Sequence, residues 1–218
     1  MIKGVIFDLD GIITDTAESH FLAWKALADM QKWKFDREIN EKLRGVSRLD
    51  SIKIIAAHNA LDISESELIR LGDLKNELYV QSLDAVSPKD YLPGAEELLI
   101  DLQKASVRIA LGSASKNAEK VLTQLDARKY FDAIGDGNSV TKSKPAPDIF
   151  LYSAKAIGLS PNECLVYEDA ESGVDAALAG GFQCVGIGPK DRVGHATFSY
   201  ASMKEASFAE ISQHVAFE

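Results

Sequence analysis

Short, almost unbroken apolar runs alternate with stretches of helical period over the second half of this chain, and one such run stands alone near its start. Lys3 to Phe7, Val107 to Leu111, Ala133-Ile134, Cys164 to Tyr167 and Gln183 to Ile187 read as strands, with helical stretches at 95–105, 117–125, 147–158 and 172–179. Strands that are apolar on both faces and joined through helices form a parallel sheet covered on each side. From about residue 16 to 88 the pattern is helical, with no strand signal before residue 90. Asp15 with Glu18, Ser47 with Asp50 and Ser64 with Glu67 mark helix starts. Phe21, Trp24, Leu27 and Ala28, then Ile52 and Ile55, then Leu68 and Leu71 supply the apolar faces. The expected fold is an α/β parallel-sheet core with helices on both faces, from residues 1–15 and 89–218, carrying an inserted all-α cap over 16–88.

The residues that follow the apolar runs carry the chemistry, because a parallel sheet gathers the C-terminal ends of its strands into one ligand crevice. Asp8-Leu9-Asp10-Gly11 follows the first run. A chain leaving the sheet into a Gly11 turn can bring both carboxylates around one small anion, one to attack and one to handle protons. Carboxylates that close raise each other's pKa, and a hard cation such as Mg²⁺ relieves them. Gly112-Ser113-Ala114-Ser115-Lys116-Asn117 follows the second run and opens a helix, so backbone N–H groups, hydroxyls and the helix dipole can cradle a phosphate. Lys144 precedes two prolines that fix its backbone, which makes it a positioned cation. Glu168-Asp169 ends the fourth run and adds hard oxygen ligands. Helix caps and a solvated lysine would explain any one of these segments alone. All four at one sheet edge point to a phosphate site.

Composition narrows the partners. A net charge of −9 with no basic stripe argues against nucleic acid and anionic membranes, and requires local cations to draw in an anionic substrate. No apolar stretch approaches the ~18 residues that span a bilayer. The N-terminal Met1-Ile2-Lys3 leads straight into a strand, so a cytoplasmic location is expected. Cys164 and Cys184 lie inside strand-like runs without C-x-x-C spacing, which predicts buried free thiols.

The ordered set of Asp8-x-Asp10-Gly11, Ser113, Lys144-Pro145 and Glu168-Asp169 resembles the haloacid-dehalogenase superfamily of phosphotransferases. Within it, Asp8 to Glu18, His20, Ala23-Trp24-Lys25, Leu43-Arg44-Gly45-Val46-Ser47-Arg48, Ser113 to Asn117 and Ser143 to Phe150 are similar to the β-phosphoglucomutases. The resemblance runs from residue 2 to about 188, while Ala56 to Ser66 and the last thirty residues carry little of it. It implies a Rossmann-like core, with Asp8 as the nucleophile that becomes an aspartyl-phosphate and Asp10 as general acid/base. It implies Mg²⁺ held by the Asp8 carboxylate, the Asp10 backbone carbonyl, Glu168 and Asp169, with Ser113 and Lys144 gripping the transferred phosphoryl group.

Transfer within a sugar requires a second phosphate grip, and Arg48 facing Ser115, Lys116 and Asn117 is the candidate. Gly45, Val46, Ser47 and Ala114 are expected beside it, and Lys75 at the sugar. Thr16, His20 and Trp24 fall at i, i+4 and i+8 on one helix face, with His20 expected to hold Asp10. The implied reaction interconverts β-D-glucose 1-phosphate and D-glucose 6-phosphate through β-glucose 1,6-bisphosphate, in a monomer. The alternatives are a Mg²⁺-dependent phosphatase of sugar phosphates or phosphoglycolate, and a catalytically dead binding protein on the same scaffold. Connections near 13–16 and 86–91 predict a hinged lid. The loop Gly135-Asp136-Gly137-Asn138 has no function assigned at this level.

Overall fold

The computed structural model describes residues 1–217. Among them is one six-stranded sheet built from β1 (Gly4–Phe7), β2 (Arg108–Gly112), β3 (Ala133–Gly135), β4 (Cys164–Glu168), β5 (Gln183–Ile187) and β6 (Phe198–Tyr200). All pairings are parallel, in the order β3-β2-β1-β4-β5-β6. Strand order reverses direction at β1, so a crevice opens between the ends of β1 and β4. Successive residues alternate between two cores. Val5 and Phe7, Ile109 and Leu111, Leu165 and Tyr167, and Val185 and Ile187 pack on one side, with α5 (Ala95–Lys104), α6 (Ala118–Gln124) and α10 (Phe208–Ile211). Ile6, Ala110, Val166 and Cys184 point to the other side, under α7 (Asp148–Ala156), α8 (Glu171–Ala179) and α9 (Lys190–Val193). Burial on both faces is why these strands read as continuous apolar runs.

Between β1 and β2 the chain forms α1 (Ala17–Gln31), α2 (Arg37–Glu41), α3 (Arg48–His58) and α4 (Glu65–Ser82). These helices enclose their own apolar cluster, which includes Trp24, Leu27, Phe35, Ile39, Ile52, Ile55, Leu68 and Leu71. Ser47 and Ser64 cap α3 and α4 by accepting the N–H of Asp50 and Glu67, as their spacing predicts. The first expected capping pair differs. Asp15 accepts the Ala17 N–H at 3.0 Å and Thr16 is the N-cap residue, while Glu18 turns away to a bidentate pair with Arg37. An arginine fork offers Glu18 two charge-assisted bonds where the helix terminus offers one.

Strand and helix limits fall within about two residues of those predicted, and Cys164 and Cys184 are buried free thiols. α9, β6 and α10 lie outside the predicted elements, although Ser207 caps α10 by accepting the Glu210 N–H, at the spacing that marks α3 and α4. β6 is three half-buried residues at the sheet edge, too short and too wet to leave an apolar run. No helix among the described residues is long and apolar enough to cross a membrane. Phe7 fills the centre of the larger core, 5.1 Å from the Tyr167 ring and 6.4 Å from Phe131. Phe7→Ala is expected to cost about 3–5 kcal/mol, read as a lower urea midpoint with an unchanged slope.

Candidate active site

Register brings the acidic residues together. Phe7 pairs with Tyr167 across β1 and β4, so the next residues, Asp8 and Glu168, emerge side by side, and the Asp8 N–H donates to the Tyr167 carbonyl at 2.9 Å. Lys144, from the segment leading into α7, rises between them. Its Nζ donates to Asp8 Oδ1 at 2.7 Å and Glu168 Oε1 at 2.6 Å, and lies 4.7 Å above the Phe150 ring. Burial works against the ammonium, but the two carboxylates outweigh it and hold the lysine above its ordinary pKa.

Oxygens of Asp8, Glu168 and Asp169 all lie within 4.8 Å of one another, and the three residues are buried. Burial first, then Glu168 and Asp8, push the Asp169 carboxyl well above the usual range. Three hard oxygen donors crowded this closely fit a divalent cation.

Asp10 sits in a different environment. Thr16 donates its hydroxyl to Asp10 Oδ1, and Tyr79 donates to Thr16 at 3.3 Å. Burial chiefly, then the Asp8 charge, pushes the Asp10 carboxyl up to about 7, suited to giving and taking protons near neutrality. His20 stacks on Tyr79 at 3.9 Å, and its Nδ1 is 2.7 Å from Lys75 Nζ. Burial, then Lys75 and Arg48, pull the imidazole well below its usual pKa, so the neutral ring accepts from Lys75. Lys75 itself lies 4.8 Å over both Trp24 and Tyr79 and is buried; burial, then Arg48, lowers its pKa to about 7.

The loop after β2 is folded by its own hydroxyls. Ser113 Oγ accepts the Ser115 N–H at 3.1 Å and Ser115 Oγ accepts the Asn117 N–H at 3.2 Å. The loop at 135–138, unassigned from sequence, braces it: Gly137 N–H donates to the Ser115 carbonyl at 3.1 Å, and Asn138 Nδ2 to the Lys116 carbonyl at 3.5 Å. One cleft is lined by Asp8, Asp10, Asp169 and Ser113–Asn117 from the sheet side, and by His20, Trp24, Gly45, Val46, Arg48 and Lys75 from the helical insertion. Gly45, at φ +69°, is required here, since a Cβ would lie 2.6 Å from Ser172 Oγ and hold the insertion off α8.

This arrangement belongs to a chain whose residues 2–181 match the haloacid dehalogenase-like hydrolases. The chain is a member of that family. It is 42% identical over 189 residues to a β-phosphoglucomutase of Bacillus subtilis (strain 168), covering 86% of this chain and 84% of that protein. A fructose-1-phosphate phosphatase, YqaB, of Escherichia coli (strain K12) is 33% identical over 84% of this chain and 95% of its own. The crystal structure of a Clostridium difficile β-phosphoglucomutase superposes with a TM-score of 0.94 at 39% identity, covering 98% of this chain and 96% of that one.

Two of the expected placements differ in this family member. His20 does not hold Asp10; Thr16 does, because the hydroxyl at the helix N-cap stands directly against the nucleophile loop while His20, one turn on, meets Lys75. Ser47 does not line that cleft but the cavity beside it, with Arg48, Ser113, Lys116 and Lys144, and its hydroxyl is donated to Asp50 at 2.6 Å while it caps α3. Arg48 lines the cleft with Ser115, Lys116 and Asn117, and its Nη1 is paired to Asp73 at 2.8 Å. Sequence reasoning missed Arg44 and Arg192 as site groups. Arg44 Nη1 donates to Asp169 at 3.1 Å and Arg192 Nη2 stands 3.7 Å from the same oxygen. The position of Arg44 beside Gly45 was a usable signal; Arg192 lies in the C-terminal segment without a motif.

Between about pH 7 and 10.5 the unfolded chain binds a proton at Lys75 that the folded chain does not, so this group takes stability away as pH falls through that window. Lys75→Met is therefore expected to melt higher than the parent at about pH 7.5, with an advantage that shrinks toward about pH 10. Equal differences at both pH values, read by calorimetry, would show that burial does not move this group.

Proposed function

We propose that the chain is a phosphomutase that interconverts β-D-glucose 1-phosphate and D-glucose 6-phosphate through β-glucose 1,6-bisphosphate. The observation that carries this reading is a pair of cationic grips: Lys144 bound to Asp8, and Arg48 with Lys116 lining the cleft that Asp8 also lines. A phosphatase needs the first grip; a mutase that turns a bisphosphate round needs both. The similarity to the Bacillus subtilis enzyme supports the same reading.

In this mechanism Asp8 attacks one phosphorus of the bound bisphosphate, the bond from that phosphorus to the sugar oxygen breaks, and Asp10 gives its proton to that oxygen as the monophosphate forms. In the other half of the cycle Asp10 takes the proton of the free hydroxyl of a sugar monophosphate, that oxygen bonds to phosphorus, and the bond from phosphorus to Asp8 breaks, forming the bisphosphate. Lys144 and Ser113 hold the phosphoryl oxygens, while Arg48, Ser115, Lys116 and Asn117 hold the distal phosphate, with Arg48 leaving Asp73 for it. Gly45, Val46 and Ala114 shape the walls. Thr16 orients Asp10, and His20, Trp24 and Lys75 face the sugar. Mg²⁺, bound by Asp8, the Asp10 carbonyl, Glu168 and Asp169, would neutralise charge on the phosphoryl group. Residues 16–88 act as a lid on a core of 1–15 and 89–218, and shut water out during transfer.

Incubated with β-glucose 1-phosphate, Mg²⁺ and a trace of the bisphosphate, the protein is expected to form glucose 6-phosphate, and Asp8→Asn to lower turnover on the order of 10³-fold or more. Inorganic phosphate without glucose 6-phosphate would replace this reading with a phosphatase of sugar phosphates, the activity named for the Escherichia coli relative. Arg48→Ala separates the two on one protein. Transfer is expected to fall about 10- to 100-fold while hydrolysis of a small phosphate monoester changes by less than about threefold.

A further inference from the structure

Four side chains close a ring of alternating charge over the acidic end of the cleft. Arg44 Nε reaches Glu41 Oε2 at 2.9 Å and Arg44 Nη1 reaches Asp169 Oδ2 at 3.1 Å. Arg192 stands 3.7 Å from that same Asp169 oxygen and 3.8 Å from Glu41 Oε2. Glu41 ends α2 and Arg44 lies in the loop beyond it, both in the helical insertion; Asp169 follows β4 and Arg192 sits on α9, both on the sheet side. Every circuit of the ring therefore crosses between the two units twice.

The backbone makes room for this. Gly188, at φ +128°, begins the turn out of β5 in a backbone conformation that favours glycine, and Arg192 Nη2 lies over it, 2.6 Å from where a Cβ would stand. Arg192 Nε is buried without a hydrogen-bond partner among the described residues, and its terminal nitrogens stand at ion-pair distance from the two carboxylates. An isolated exposed pair contributes little, but here each charge has two partners and Asp169 is buried.

We propose that Arg192 and Glu41 are positioning residues that lock Arg44 onto Asp169, and so hold the helical insertion shut over the reacting groups. For a ligand to enter, Glu41 and Arg44 must lift away from Asp169 and Arg192, and the ring sets how often that happens. The consequence for product rests on the mutase reading above. When the ring is broken, water reaches phosphorylated Asp8, adds to phosphorus and breaks the bond to Asp8, and its proton passes to Asp10; inorganic phosphate leaves.

Glu41→Gln, Arg192→Gln and the double variant, each with Mg²⁺ present, test the ring. Glu41 is exposed, so its replacement leaves folding intact. Amide hydrogen exchange across residues 43–47, with no sugar added, is expected to speed up about two- to fivefold in each single variant, and in the double variant no more than in the larger single. The ratio of inorganic phosphate to glucose 6-phosphate formed during turnover is expected to rise by a similar factor, and high salt to bring the parent toward the variants. Unchanged exchange in both single variants, or effects that simply multiply in the double, would overturn the ring. If the parent forms no glucose 6-phosphate, the mutase reading fails, and the exchange cycle still decides the ring.

Discussion

An ammonium with no solvent exposure sits between two carboxylates at the end of the central strands, and the rest of the site is arranged around it. Burying Lys144, Asp8 or Glu168 alone would cost several kcal/mol, and removing one partner would leave a buried charge uncompensated. Such a cluster persists only where geometry is fixed by something stiffer than side chains. Here it is the pairing of Phe7 with Tyr167, which sets Asp8 beside Glu168, and the packing of α7 against β1, β2 and β3, which sets the height of Lys144. Asp8 and Glu168 together carry one more negative charge than Lys144 balances, and Asp169 adds a third oxygen donor beside them. That excess makes the end of the sheet a place for a divalent cation and, through it, for phosphate, in a chain whose overall charge repels phosphate.

A few ångströms away the physics is the reverse. Around Asp10, His20 and Lys75, burial suppresses charge: the carboxyl is pushed up to about 7, the imidazole stays neutral, and the lysine comes down to about 7. Groups poised near neutrality can move protons, whereas groups locked in ion pairs can only hold charge. Asp8 and Asp10 are two residues apart, yet Asp8 is paired to Lys144, whereas burial and the Asp8 charge raise Asp10 against the opposing pull of the Thr16 hydroxyl. The helical insertion is what creates the second environment, since Thr16, His20, Lys75 and Tyr79 all come from it.

Much of this was legible before any coordinates. Apolar runs on both faces gave the strands, serine spacing gave the starts of α3 and α4, and the acids, serine and lysine that follow the runs were recognisable because a parallel sheet collects its strand ends. The failures share a cause. Helical spacing aligned Thr16, His20 and Trp24 on a face but could not say which of them reaches Asp10. Ser47 served its own helix. Glu18 found Arg37, nineteen positions on, in place of a local cap. In each case a side chain had a local and a distant partner available, and only packing decides that competition. Arg192 left no trace, because its value comes from the empty space above Gly188 and the nearness of Asp169, neither of which is a property of its neighbours in the chain.

The sequence alone determined the class of sheet, the four segments that meet at its edge and the kind of chemistry they support, because hydrophobic period and the identity of residues at strand ends are local facts. The tertiary structure decided which groups keep their charge and which lose it, how the loop at 135–138 braces Ser115 and Lys116, and how Arg44 and Arg192 converge on Asp169. Charge state depends on burial and on neighbours from other segments, and those distances exist only once the chain has folded.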